Sequence, residues 1–338
     1  MPYQPHPELK EFLRQLPKTE THLHIEGALP WQLINELHPE RFPEPPESWQ
    51  DGYKFRDFAH FETELLDMAG AWYTSPERYH EAAGIVFRRL QEEENVHYVE
   101  TSFASGVIEF TGLDGKAVAE AVKSAAPDGM TVRVFMGIHH DGYTDRSRGF
   151  IEDSLHWEAL DGIDLHGTET TPLEPWTADL WKRARKAGKQ TKAHAGEFAG
   201  PDFVWRVVDE LGVNRIQHGV RSIEDPRLVQ HLVDVGAVLD FCPISNVKLD
   251  VVDRMENHPV RQLFDAGIIC TLSTDDPVSF GNTLGEEYAA LHEALGFTYA
   301  ELGQIAANGF RHSIDGGAAF AKEIETINKV VKAFSGNE

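Results

Sequence analysis

The sequence predicts an α/β fold: a closed (β/α)8 TIM barrel with a helical lid insertion after strand 1. Three observations predict it. Eight short, apolar, β-branched runs recur along the 338 residues, with helix-like segments between them. Such alternation implies a parallel sheet, whose strands are covered on both faces and read as continuous apolar runs. Ionisable residues also gather at the ends of several runs, as they do where barrel strands open onto one catalytic face. Pattern alone also admits an open, doubly wound sheet. Eight consecutive units favour closure.

The first run, 21–25, leads into HLHIEG. A long segment then separates it from the second run, 97–103. It holds the proline-rich PEPPES at 43–48 and then FRDFAHFETELLDMAGAW, helical and strongly apolar for a connection. Residues 28–95 are therefore expected to form a helical insertion, with 55–72 as a lid over the barrel mouth. An extra packing helix on the flank is the competing reading. The third and fourth runs fall at 131–138 and 162–165, and the fifth at 190–194. Before the fifth lies WTADLWKRARKAGK, with Trp176, Leu180, Trp181 and Ala184 on one side and a glycine near its end. The sixth and seventh runs are 215–218 and 237–242. VRQLFDAG ends at Gly267, where the eighth run, 268–273, must begin. Residues 299–338 read as helices with a polar tail. There is no internal repeat, so residues 1–338 are expected to form one domain.

Composition narrows the function. Thirty-one Lys and Arg face 55 Asp and Glu, a formal net charge of -24. Such a surface repels nucleic acid and anionic membranes, which are bound mainly through Lys and Arg. Two cysteines, Cys242 and Cys270, make no disulfide framework, so a reducing cytoplasm is expected. No apolar run approaches a membrane span, and MPYQPHPELKEFLRQLPK carries charges and prolines where a signal peptide would be apolar.

The polar strand ends carry the chemistry. His22 and His24 are two apart on a strand and share a face, while Leu23 points the other way. Two neutral imidazoles side by side suit zinc, although a histidine on a buried strand is more often a satisfied core residue. His194 can add a third nitrogen and Asp275 an oxygen, which leaves room for water on a catalytic ion. Glu197, three residues past His194, can be turned back over the metal. In a dry mouth its pKa should rise, fitting it to shuttle a proton. His218 can orient or deprotonate the water. Asp276 diverges from Asp275 and can face substrate. HAGE, QHG and DDP are weak signals singly; their joint placement at strand ends is the strong one.

With those residues in hand, the chain resembles the adenosine deaminase family, which includes the adenine deaminases. LPKTETHLHIEGAL, GIDLHGTE, HAGEFAGP, RIQHGV, FCPISN and LSTDDP occur in family order. The resemblance runs from about Leu16 to about His312. It implies a barrel with one catalytic zinc (Zn2+) held by His22, His24, His194 and Asp275. It implies that Glu197 protonates purine N1, that His218 orients the attacking hydroxide, and that Asp276 partners N7. Gly167 matches a glycine whose backbone approaches N3. The implied reaction is hydrolytic deamination of a 6-aminopurine, a small molecule, with water as co-substrate. The H-x-E…P-C-x-x-C signature of polynucleotide deaminases is absent.

Substrate identity is divided. Glu26 stands where adenosine enzymes carry an Asp that contacts ribose, and it is similar to adenine deaminases, as is CPISNVKL. GIDLHGTE and DDPVSFGNTLGEEY look more like the nucleoside-acting branch, so an adenosine-type substrate is expected. Adenine, aminodeoxyfutalosine and N6-substituted adenines are the alternatives. Binuclear amidohydrolases are a rival, but GIDLHG offers no lysine to bridge two metals. A barrel that binds purines without turning them over is a more distant one.

Overall fold

A computed structural model describes residues 5–336. Its centre is one eight-stranded parallel sheet in sequence order: β1 (Lys18–His24), β2 (Val96–Ala104), β3 (Thr131–His139), β4 (Gly162–His166), β5 (Gln190–Ala195), β6 (Arg215–His218), β7 (Val238–Phe241) and β8 (Ile269–Leu272). Each expected run lands on one of these strands. The sheet closes on itself just past β8, where the Asp275 N–H donates to His22 O at 3.1 Å and the His24 N–H to Asp275 O at 3.2 Å. The alternating strands and helices therefore form the closed barrel.

Strand alternation sorts side chains into two layers. Outward residues such as Val132, Val134, Met136, Ile163, Leu165, Ala193, Ile216 and Leu239 are buried beneath the surrounding helices and form the apolar core. The barrel interior is charged instead. Glu100 Oε1 lies 2.6 Å from Arg215 Nη1, and Glu100 Oε2 pairs with Lys192 Nζ. Asp240 Oδ2 lies 3.5 Å from Arg215 Nη2 and 3.8 Å from Lys192 Nζ. Two cations thus face two carboxylates, and burial without such pairing would be costly. Burial alone would raise the Glu100 carboxyl, but Arg215 and Lys192 outweigh it and pull it down to about 2.

The segment after β1 holds helices Trp31–Leu37, Phe58–Trp72 and Pro76–Glu92. The last packs on β2 and on helix Gly115–Ser124. It serves as the ordinary crossover between β1 and β2, so the added structure is what precedes it. Helix Phe58–Trp72 starts at Asp57, whose side chain accepts from the His60 N–H. Its Phe61 stacks on Phe280 at 5.3 Å, within a buried cluster that also includes Phe55 and Leu249. Helices Tyr299–Arg311 and Ala321–Phe334 cover β1, β8 and the N-terminal helix Pro7–Gln15. Residues 337 and 338 of the expected C-terminal segment lie outside the described residues. Among the described residues, no helix is long and apolar enough to cross a membrane.

The charged floor gives a direct test. Lys192→Met leaves Glu100 and Asp240 to share Arg215 and should destabilise the protein by about 3–5 kcal/mol, read as a lower urea midpoint at unchanged slope. Folded Glu100 ionises near 2 rather than 4.5. Its pairing therefore stabilises the fold above about pH 4.5 and is lost as pH falls toward 2, so Lys192→Met should also reduce the slope of stability on that acid side.

Candidate active site

The predicted residues meet at the C-terminal mouth of the barrel. His22 Nε2 and His194 Nε2 are 3.0 Å apart, and His24 Nε2 and His194 Nε2 are 3.2 Å apart. Asp275 Oδ1 lies 3.3 Å from His22 Nε2 and 3.4 Å from His24 Nε2. One hydrogen bond cannot serve four atoms aimed at one point. A tetrahedral zinc, with bonds of about 2.0–2.1 Å, holds neighbouring ligand atoms roughly 3.3 Å apart. The donor set and its spacing fit a divalent cation. Burial alone would lower the His24 pKa, but the Asp276 and Asp275 carboxylates outweigh it and push it up to about 10.

Each of the four side chains is held from behind. His24 Nδ1 meets Ser102 Oγ at 2.9 Å, and His194 Nδ1 meets Leu165 O at 3.1 Å and Asp164 Oδ2 at 3.3 Å. His22 Nδ1 lies 3.5 Å from Cys242 Sγ, and Ser245 Oγ donates to Asp275 Oδ2 at 2.7 Å. With Nδ1 engaged behind, each imidazole presents Nε2 to the shared point. Among the described residues, two other groups have metal-ligand spacing, His22 with His218 and Cys242, and Glu197 with His218 and Asp275. Both share a member with the first cluster and flank the same place.

Glu197 follows β5 through Gly196, whose φ of +77° and packing against Val204 suit glycine. The Glu169 carboxylate then accepts the backbone N–H groups of Glu197, Phe198 and Ala199 at 3.2, 3.0 and 2.7 Å. This clamp turns the Glu197 side chain back into the mouth. Burial, reinforced by Asp275, Glu169 and Asp276, raises the Glu197 carboxyl well above its usual range. Burial also raises Asp276, against the pull of His24 and with help from Asp275 and Glu26. Asp276 Oδ1 is buried without a hydrogen-bond partner. Both carboxyls are thus shifted toward the protonated form, the form that can donate a hydrogen bond. His218 Nε2 lies 3.5 Å from Glu197 Oε2, and burial, with His22 beside it, lowers that ring's pKa well below the usual histidine range.

His24, Glu26, Gly167, His194, Glu197, His218, Asp275 and Asp276 all line one pocket of about 80 Å³, while His22 sits behind it at the cluster's base. Phe58, Phe61, Glu62, Leu65 and Leu66 of helix Phe58–Trp72 wall the same pocket. Glu26 Oε1 accepts from Tyr79 Oη at 2.8 Å and from the Ala104 N–H at 3.1 Å. Sequence reasoning missed Asp164, Glu169, Ser102, Ser245 and Asn246, and also the pocket-lining His139 and His166. Asp164 and His166 share a strand face in GIDLHG, a signal that was available.

An eight-stranded barrel with histidines and a carboxylate converging at its mouth has the architecture of an amidohydrolase. The chain belongs to the adenosine deaminase family, whose model matches residues 17–330. It is 32% identical over 333 residues to an adenine deaminase of Acinetobacter baylyi, covering 95% of this chain and 99% of that one. It is 31% identical to an aminodeoxyfutalosine deaminase of Streptomyces avermitilis, covering 94% and 93%. The crystal structure of an adenine deaminase from Arthrobacter aurescens superposes with a TM-score of 0.83 at 27% identity, covering 94% and 99%. An amidohydrolase from Burkholderia ambifaria with bound Zn shares the fold, with a TM-score of 0.83 at 22% identity, covering 100% and 97%.

Gly27 supplies a test of the site's packing. A Cβ there would lie 1.7 Å from Asp276 Oδ1. Gly27→Ala should drive the Asp276 side chain aside and lower kcat/KM by about 100-fold, as displacement of a positioned group does. Metal analysis should still find the same cation content as in the unaltered protein, because Gly27 does not touch the four converging atoms.

Proposed function

We propose that this protein is a zinc-dependent deaminase of a 6-aminopurine nucleoside, converting an adenosine-type substrate and water to an inosine-type product and ammonia. The observation that carries the reading is the convergence of His22, His24, His194 and Asp275 with two buried carboxyls, Glu197 and Asp276, beside them, both raised by burial. These four residues would hold one Zn2+. A zinc ion bound there would supply a water of lowered pKa near neutral pH. A purine offers lone pairs at N1, N3 and N7 and no acid of its own there. Protonated Glu197 donates to N1, protonated Asp276 donates to N7, and the Gly167 backbone approaches N3. Proton transfer from Glu197 to N1 weakens the aromatic bond to C6, so that water adds at that carbon. The water's proton returns to the Glu197 carboxylate, the new C6 hydroxyl gives its proton to the amino group, and the tetrahedral carbon expels ammonia and leaves a 6-oxo purine. His218 orients the incoming water. Helix Phe58–Trp72 acts as the lid that excludes bulk water from the mouth.

A second cavity supports a nucleoside over a free base. It is about 430 Å³, mainly apolar, and shares Leu66, Ala104, Val107 and His139 with the first pocket. With C6 toward the histidine cluster and N1 toward Glu197, N9 points to the ends of β2 and β3, where this space lies. Glu26, at that boundary, can accept from a ribose hydroxyl or from an N9–H. The second reading, an adenine deaminase, rests on that latter contact and on the identity to adenine deaminases. Aminodeoxyfutalosine, itself a nucleoside, fits the first reading. The enzyme is expected to act in the cytoplasm.

Ultraviolet assays on adenosine, adenine, aminodeoxyfutalosine and N6-methyladenine should show nucleosides favoured in kcat/KM by at least about tenfold. A preference for adenine would overturn the nucleoside reading, and silence with all four would overturn deamination.

Glu197→Gln should keep its zinc and lose at least about 100-fold in kcat. Since the Glu197 carboxyl is raised and works as an acid, activity should fall on the alkaline side as Glu197 deprotonates. Near-normal turnover in Glu197→Gln would remove Glu197 from this role.

A further inference from the structure

We propose that His258 and Asn246 fix the tautomer of His218, so that His218 presents an Nε2–H donor, and not a base, to the attacking water. The catalytic consequence rests on the deamination reading; the tautomer does not.

The assignment starts from a backbone amide, which can only donate. The Val260 N–H points at His258 Nδ1, 3.1 Å away, so Nδ1 carries a lone pair. His258 is buried, and burial alone lowers its pKa to about 3. The ring is neutral, and its proton sits on Nε2. That nitrogen lies 3.2 Å from Asn246 Oδ1. The amide oxygen of Asn246 therefore accepts from His258, and its NH2 faces the other way. Asn246 Nδ2 lies 3.3 Å from Glu197 Oε1 and 3.2 Å from His218 Nδ1. An NH2 group donates, so His218 Nδ1 must accept. A neutral ring whose Nδ1 accepts carries its hydrogen on Nε2.

His218 Nε2 is the atom that faces the chemistry. It lies 3.5 Å from Glu197 Oε2 and 4.0 Å from Asp275 Oδ2, beside the converging Nε2 atoms. Asp275 Oδ2 already accepts from Ser245. Water held in that space receives a hydrogen bond from His218, which fixes the direction of its oxygen lone pairs. The ring has no lone pair there to take a proton. The same amide grips the acid Glu197, so one side chain sets both the proton donor and the water's orientation. Asn246 and His258 are positioning residues. SN in CPISN is thus a functional pair: Ser245 holds the metal-facing carboxylate and Asn246 holds its neighbours.

The test reads the tautomer directly. In protein labelled with 15N at histidine and loaded with Zn2+, two-bond nitrogen–proton correlation spectra distinguish Nδ1–H from Nε2–H, and the signals lost in His218→Gln identify His218. The native protein should show Nε2–H. Asn246→Asp should invert the pattern, because a carboxylate in that place must accept from both rings. His258→Leu should give a mixture, whereas His258→Gln, which keeps a donor toward Asn246, should restore the native pattern. Asn246→Asp should lower kcat by at least about 100-fold with KM within about threefold and unchanged zinc content. Nδ1–H at native His218 would overturn the assignment. An inverted tautomer with undiminished kcat would overturn its catalytic role. A native Nε2–H pattern in a protein that deaminates no 6-aminopurine would sink the deamination reading and leave the tautomer assignment standing.

Discussion

Three imidazole nitrogens and a carboxylate oxygen aim at one point, and the rest of the mouth is arranged around that convergence. Each ring must turn Nε2 inward, so each Nδ1 needs a partner behind it. Ser102, Leu165 O with Asp164, and Cys242 stand in those positions. Asp275 links this requirement to the fold. Its backbone makes the two hydrogen bonds that close β8 against β1, and its carboxylate is the cluster's oxygen. Closing the barrel and completing the cluster are therefore one structural event. Glu20 secures it by accepting both the N–H and the hydroxyl of Thr274, the preceding residue.

Beneath the cluster, the barrel axis is filled by charge. Lys192 and His194 are two apart on β5, as Glu100 and Ser102 are on β2, so one strand face carries both floor and site. Aliphatic filling would suit the floor equally well by volume. The ion pairs differ in being directional: Arg215 reaches Glu100 and Asp240 together, and Lys192 also donates to Thr21 O at 2.5 Å. These bonds tie β1, β2, β5, β6 and β7 in one register, and the side chains one pleat above inherit it.

Much of this was legible in the sequence because it follows short-range rules. Alternating apolar runs gave all eight strands, and the i, i+2 spacing of His22 and His24 placed both on one face. The residues that support the site were not legible in the same way. Glu169 acts through three backbone amides 28 or more residues away in sequence, and Asn246 joins groups from the turn after β5, from β6 and from the segment before β8. Only folded geometry makes such contacts visible. Gly27 is another case: its lack of a side chain matters because Asp276 occupies the space. Helix Pro76–Glu92 has the same apolar helical pattern as the elements before it, so the sequence does not separate it from them. Its contacts with β2 reveal it as a barrel helix.

Strand alternation also fails at the two residues that matter most for orientation. His218 and Asp275 have φ of +66° and +67°, in the left-handed region that residues other than glycine seldom occupy. Ordinary β geometry at these points would send the following chain straight on, away from the mouth. The left-handed turn instead brings the Gly219 N–H back to Ala195 O at 3.0 Å, and the Asp275 O round to the His24 N–H at 3.2 Å. Each such residue costs of order 1–3 kcal/mol and persists where its surroundings over-determine it. Here those surroundings are the barrel seam, Ser245 and Asn246. Relaxing either turn would free backbone strain but rotate an imidazole or a carboxylate off the shared point, so the strain and the precision of the site have the same origin.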